Sequence, residues 1–138
     1  SIGWKTFTTR EGFEAASRGA ACVHLIECGP TALATLRANH QALGTPAQVH
    51  IDPRPFAAAL PVLHGLDLIY ADPPFPWYRE QPAILDELLR LATASLAPGG
   101  RLLIRGELGQ DLGPLPPGLR ECQRRDYGRS WIAALESR

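Results

Sequence analysis

A chain of 138 residues, 45% of them hydrophobic and 20% charged, is long enough to bury one core and too short for two complete domains. Its 14 basic and 14 acidic side chains cancel, so bulk charge points neither to nucleic acid nor to a membrane surface. Cys22, Cys28 and Cys122 are odd in number and lack metal-ligand spacing, which predicts free thiols, no bound metal and a reducing, cytoplasmic setting. No signal peptide and no bilayer-length apolar run is visible, so no membrane partner is expected. Methionine is absent even at position 1, as in a processed, trimmed or partial chain.

Apolar runs alternate with helical patterns, which predicts βαβ units and a mostly parallel sheet. Residues 10–17 read as a short helix closed by Gly19, followed by the strand Cys22-Val23-His24-Leu25-Ile26-Glu27. Pro30 suits a first helical turn and opens a helix with Leu33, Leu36 and Leu43 on one face and Gly44 as its stop. Residues 48–51 form a second strand ending at Asp52, residues 56–63 a short helix, and residues 66–71 a third strand. The clearest helix covers residues 82–96, where Ile84, Leu85, Leu88, Leu89, Ala92 and Leu96 recur at helical spacing. Pro98-Gly99-Gly100 then turns the chain into Arg101-Leu102-Leu103-Ile104-Arg105, an apolar strand of the buried parallel kind. Residues 108–118, rich in Gly and Pro, read as a loop. Residues 119–125 and 130–135 pair as an antiparallel hairpin around Tyr127-Gly128. Nothing divides the chain, so residues 1–138 make a single domain, with residues 1–11 an atypical start.

The third strand, Leu66-Asp67-Leu68-Ile69-Tyr70-Ala71, runs directly into Asp72-Pro73-Pro74-Phe75. Each proline fixes its own φ and restrains the residue before it, so the chain leaves the strand in few ways. Neither proline has an N–H, and their carbonyls stand as acceptors beside the Asp72 carboxylate. A carboxylate and a carbonyl together accept both hydrogens of an –NH2 group, holding its lone pair out of conjugation. Phe75 adds a face on which a base can stack. The tetrapeptide therefore suits a planar, amine-bearing base. A turn in which Asp72 is a cap and the prolines merely end the strand is the plainer alternative.

Two more acids fall at predicted strand ends, Glu27 and Asp52. In a doubly wound sheet such ends line one crevice. A carboxylate after the first of these strands suits ribose hydroxyls, and Asp52 suits an adenine amino group. Any one of them alone is more often a helix cap or a solvated loop residue; the three in register favour a nucleoside-type cofactor beside a base. Arg120, Arg124, Arg125 and Arg129 cluster near the C-terminus, where Arg124 and Arg125 are placed to meet phosphates or to be a solvated hairpin face. Tyr78, just past the ledge, contacts a base or packs at the crevice mouth. His24, His40, His50 and His64 have no ligand spacing. No G-x-G-x-x-G occurs, which argues against a dehydrogenase.

From about Gly12 to Leu135 the chain resembles the bacterial small-subunit ribosomal RNA guanine-N2 methyltransferases, the RsmD type. The resemblance rests on Glu14-Ala15-Ala16-Ser17-Arg18-Gly19-Ala20, Leu25-Ile26-Glu27, Asp67-Leu68-Ile69-Tyr70-Ala71-Asp72-Pro73-Pro74-Phe75 and Pro98-Gly99-Gly100-Arg101-Leu102-Leu103-Ile104. The Glu-Ala-x-Ser-Arg-Gly-Ala helix end is specific to that family, whereas Asp-Pro-Pro-Phe is shared with other amino-methyltransferases. It implies an α/β fold: a Rossmann-like methyltransferase sheet, mostly parallel, with a C-terminal antiparallel hairpin. It implies S-adenosylmethionine as cofactor, held by Gly12, Glu27 and Asp52. Asp72, Pro73, Pro74 and Phe75 would be catalytic, with Tyr78, Arg124 and Arg125 on the substrate. Ribosomal RNA or the small subunit would be the partner, and the enzyme a monomer.

The chain departs from the family at its start. Where a strand, an acid and Gly-x-Gly are usual, Phe7 and Thr9 take the glycine positions and Gly3 the acid's. Both replacements carry a Cβ where the backbone must approach the cofactor. The glycine loop is thus degenerate or truncated, and the sheet is open to lacking an intact first strand. Gly29 stands where an acid is usual and Arg105 where a glutamate is usual. Two alternatives remain: an inert methyltransferase-like domain that binds RNA or protein, and an amino-methyltransferase acting on adenine N6 or DNA.

Overall fold

The computed structural model describes residues 23–26, 38, 49–52, 55–71 and 73–138, the segments 23–26 and 49–52 and Tyr127 by backbone alone. Its strands are β1 (Val23–Ile26), β2 (Val49–Asp52), β3 (Leu66–Ala71), β4 (Leu96–Glu107), β5 (Leu119–Tyr127) and β6 (Ser130–Ser137). They make one sheet in the order β2-β1-β3-β4-β6-β5. The first four are parallel, and β6 and β5 return antiparallel beside β4. Chain order reverses between β1 and β3, which is the switch point beside which ligands bind in open α/β sheets. The predicted mixed sheet with its terminal hairpin is the sheet observed.

Three short helices and one 3-10 turn connect these strands among the described residues: α1 (Phe56–Ala59), running into the turn Leu60–Val62, α2 (Trp77–Glu80) and α3 (Pro82–Ser95). Pro82 occupies the first turn of α3, where a missing N–H costs nothing. Leu85, Leu88, Leu89 and Ala92 of α3 are buried in one cluster with Ile69, Leu102, Ile104, Trp131, Ala133 and Leu135 of the sheet. Each such leucine contributes about 1.5–3 kcal/mol of transfer free energy. At the other end of α3, the buried Ser95 hydroxyl donates to the Leu60 carbonyl at 2.8 Å. Alternate sheet residues Leu68, Tyr70, Leu103, Ile132 and Ala134 are buried as well. The central strands are therefore covered on both faces, as a continuous apolar run requires.

Several boundaries differ from the sequence reading. The helix expected over residues 82–96 stops at Ser95, and Leu96 is already extended. The turn expected at Pro98-Gly99-Gly100 is instead a bulge inside β4, between the pairs Leu66–Leu96 and Leu68–Arg101. Gly100 is required there, because a Cβ would lie 2.6 Å from the Leu66 carbonyl oxygen. The short helix expected over residues 56–63 splits into α1 and the 3-10 turn, with Pro61 inside the turn. Helix α2 was not expected, and each hairpin strand starts where expected but runs two residues further at its C-terminal end, β5 to Tyr127 and β6 to Ser137. The helix expected over residues 10–17 lies outside the described residues, as does the one from Pro30 except for Ala38, which is helical. No helix among the described residues is long and apolar enough to cross a membrane.

Candidate active site

The carboxyl ends of the parallel strands collect on one edge of the sheet. Ile26 ends β1 with its backbone opposite Asp52, which ends β2. Leu25 is paired with Tyr70, one residue before the end of β3 at Ala71. Glu107 ends β4 opposite Ser130, so the β5–β6 turn reaches the same edge. Asp72 follows β3 and Glu27 follows β1, but both, with Gly12, lie outside the described residues. Among the described residues, β1 and β3 are direct hydrogen-bonded neighbours. No strand carrying a glycine loop stands between them there.

Beyond β3 the chain is held tightly. Pro73 is buried, Pro74 exposed and Phe75 half-buried. The Pro74 carbonyl accepts from the Trp77 amide at 3.0 Å and the Phe75 carbonyl from the Tyr78 amide at 3.2 Å. Pro76 accepts in turn from Arg79 and Glu80, which starts α2. The Pro73 carbonyl is not used by this turn. Pro74 therefore shapes the ledge with its ring, while its carbonyl closes the turn.

Three contacts tie the ledge to the end of β4. The Gln110 side-chain amide donates to the Phe75 carbonyl at 3.1 Å. The Tyr78 hydroxyl donates to the Arg105 carbonyl. The Arg105 guanidinium lies over the Phe75 ring, 5.4 Å from its centroid. Arg105, a departure from the family pattern, thus places a cation on one face of the ring proposed for stacking.

Tyr78 is half-buried, with its ring edge-on to Trp131 at 5.8 Å and packed against the core. Trp77 packs likewise, edge-on to Phe56 at 6.2 Å. Arg124 lies 4.2 Å over the Trp131 ring, bonds Glu121 at 2.8 Å and approaches Asp111 at 3.6 Å. Its charge is balanced within the domain. Arg125 pairs with Ile132 and Arg124 with Ala133, so the two arginines face opposite sides of the sheet. Arg125 is exposed, whereas Arg101 and Arg120 both reach Glu136, at 3.7 and 3.8 Å.

Sequence reasoning missed Gln110 and Trp131. The Trp131 indole N–H donates to the Gln110 carbonyl at 3.0 Å, and its ring lies on Gly106, its cross-strand partner. Neither residue carries a local signal, since both contacts join segments far apart in the chain. Among the described residues no group of three or more His, Cys, Asp or Glu could hold a metal ion.

A family comparison bears on this geometry. The family described as conserved hypothetical protein 95 matches residues 8–136. The chain belongs to that family. Its fold is also that of several solved structures. One is a conserved hypothetical protein from Streptococcus pyogenes, with a TM-score of 0.71, 22% identity and 91% of this chain matched to 77% of that one. A proposed methylase from Haemophilus influenzae matches at 0.67, with 21% identity over 92% of this chain and 79% of that one. An rRNA methylase from Streptococcus thermophilus matches at 0.58, with 13% identity over 84% and 73%. At these identities what is shared is the Rossmann-like methyltransferase sheet. No curated protein sequence matches the chain significantly.

Proposed function

We propose that this domain is a methyltransferase that modifies the exocyclic N2 amine of a guanine in small-subunit ribosomal RNA. The observation that carries this reading is the braced ledge at the carboxyl end of β3, beside the switch point. Its Pro73 carbonyl is left out of the turn that Pro74 and Phe75 close. The family membership and the methylases among the fold neighbours support the same class of reaction.

S-adenosylmethionine would supply a methyl group on a sulfonium, whose carbon–sulfur bond breaks as the carbon–nitrogen bond forms. Asp72 and the Pro73 carbonyl would accept the two amine hydrogens and aim the nitrogen lone pair. Phe75 would stack on the base, worth about 1–3 kcal/mol. The alkylated nitrogen then sheds one proton to Asp72 or to water. Such catalysis rests on positioning and on charge at the amine. The target base would have to be presented unstacked. Glu27 and Asp52 would hold the ribose and adenine, Gly12 would lie by the cofactor, and Arg125 would meet phosphate. The enzyme would act as a monomer in the cytoplasm.

The direct pairing of β1 with β3, with Phe7 and Thr9 at the glycine positions, favours a second reading. In it the domain keeps the base ledge but binds RNA without transferring anything. Incubation with methyl-labelled S-adenosylmethionine and small subunits lacking the modification separates the two. Label appearing on guanine N2 is the expected result. RNA retention with no label and no calorimetric binding of the cofactor establishes the second reading instead.

A further inference from the structure

Gln110 sits in the loop after β4, far in sequence from the ledge, yet each of its polar groups is engaged. Its backbone N–H donates to the Glu107 carbonyl at 3.0 Å, and its backbone carbonyl accepts from the Trp131 indole at 3.0 Å. Its side-chain oxygen accepts from the Glu107 N–H at 3.3 Å, and its side-chain nitrogen donates to the Phe75 carbonyl at 3.1 Å. Only an amide meets both side-chain demands, because one end must accept and the other donate. A glutamate would face the Phe75 carbonyl with a second acceptor. An asparagine would be one methylene short.

The loop that carries Gln110 is itself anchored. Leu108 donates from its N–H to the Arg129 carbonyl at 2.9 Å, which ties the loop to the β5–β6 turn. Trp131 is 2% exposed and belongs to the core. The side chain of Gln110 thus connects the core and the hairpin to the backbone of Phe75. Its bond to Phe75 adds to the Tyr78 amide already on that carbonyl, so two donors set the position of this peptide group.

We infer that Gln110 is a positioning residue for the base ledge, acting through the Phe75 backbone without touching the substrate. This rests on the methyltransferase reading above. RNA affinity comes mainly from contacts spread along the phosphate backbone, whereas the ledge must align one amine within a narrow tolerance. A displacement of about 1 Å at such a site lowers a rate by up to about a hundredfold. Loss of the Gln110 donor therefore reduces kcat and leaves KM for the RNA substrate nearly unchanged.

The test compares wild type with Gln110→Glu and Gln110→Ala, using unmodified small subunits as substrate and amide hydrogen exchange on the whole chain. Gln110→Glu keeps the acceptor for Glu107 and turns the donor to Phe75 into a repelling acceptor, whereas Gln110→Ala removes both side-chain bonds without adding charge. Both variants are expected to lower kcat about tenfold or more, with KM within about twofold. Exchange at Trp77 and Tyr78 should accelerate about tenfold, while exchange in α3 stays as in wild type. Unchanged kcat in an active wild-type background overturns the inference, as does an equal rise in exchange over α3. If wild type transfers no methyl group, the activity reading has failed and exchange alone decides. Accelerated exchange confined to Trp77 and Tyr78 then upholds the brace, and unaltered exchange overturns it.

Discussion

Replacing Gly106 with alanine is a demanding test of the packing that supports the site. Gly106 lies directly across from Trp131, and the indole rests on its Cα. An added Cβ would stand 2.2 Å from Cζ2, 2.6 Å from Cε2 and 2.7 Å from Cη2 of that ring. No backbone strain contributes, because Gly106 is not among the positive-φ glycines. The ring must therefore move or the strands must part. Overpacking of this kind costs about 1–3 kcal/mol. A shifted indole also loses its bond to the Gln110 carbonyl, worth about 0.5–1.5 kcal/mol. Gly106→Ala should thus destabilise the domain by about 1.5–4.5 kcal/mol in urea unfolding, the sum of these two terms. The double-mutant cycle with Trp131→Leu isolates the cause. With the indole removed, Gly106→Ala should cost less than about 1 kcal/mol, since the clashing atoms are gone. An equal cost in both backgrounds would refute the argument, because the penalty would then lie elsewhere in β4.

Tyr78→Phe keeps the ring against Trp131 and removes only the donor to the Arg105 carbonyl; a loss of about 0.5–1.5 kcal/mol in urea unfolding is expected. Phe75→Ala should leave the melting temperature within a few degrees while lowering kcat/KM for the RNA substrate about ten- to hundredfold, as loss of one base stack predicts. Ser95→Ala removes a buried hydroxyl whose partner is the Leu60 carbonyl, and about 1–3 kcal/mol of stability should go with the orphaned acceptor, read by chemical denaturation. Arg124→Met retains much of the stem over Trp131 and should change RNA affinity less than Arg125→Met, measured by filter binding at two salt concentrations, because Arg124 is already matched to Glu121 and Asp111.

The parts of the fold that were legible in the sequence are those written in local pattern. Leu85, Leu88, Leu89 and Ala92 mark α3 by spacing alone, and all four are buried where that spacing puts them. The run Leu102-Leu103-Ile104 reads as a strand covered on both faces, and each member is buried. Pattern misleads where a rare geometry carries a common signal. Pro98-Gly99-Gly100 has the composition of a turn, yet it forms a bulge within β4 because Gly100 can pass close to the Leu66 carbonyl. Helix α2 is short and begins at Trp77 with no side-chain cap, so nothing periodic announces it. Arg124 and Arg125 read as one basic patch because sequence adjacency hides the alternation that sends them to opposite faces.

The ledge shows how these two kinds of information combine. Its stiffness along the chain is local: two prolines restrict the backbone, and Pro74 and Phe75 close a turn on their own neighbours. That much is readable from four letters. Its height over the sheet is not local, because a rigid turn can still pivot as a unit about the end of β3. What stops the pivot is contact with β4 from two directions, Tyr78 reaching forward to the Arg105 carbonyl and Gln110 reaching back to the Phe75 carbonyl. Each is a single hydrogen bond between segments 27 and 35 residues apart, and no periodicity encodes it. Both bonds tie the ledge to the end of β4 and the loop after it, so a pivot about β3 must stretch or break them. The ledge therefore needs both the prolines, which set its shape, and the β4–β6 framework, which sets where that shape stands.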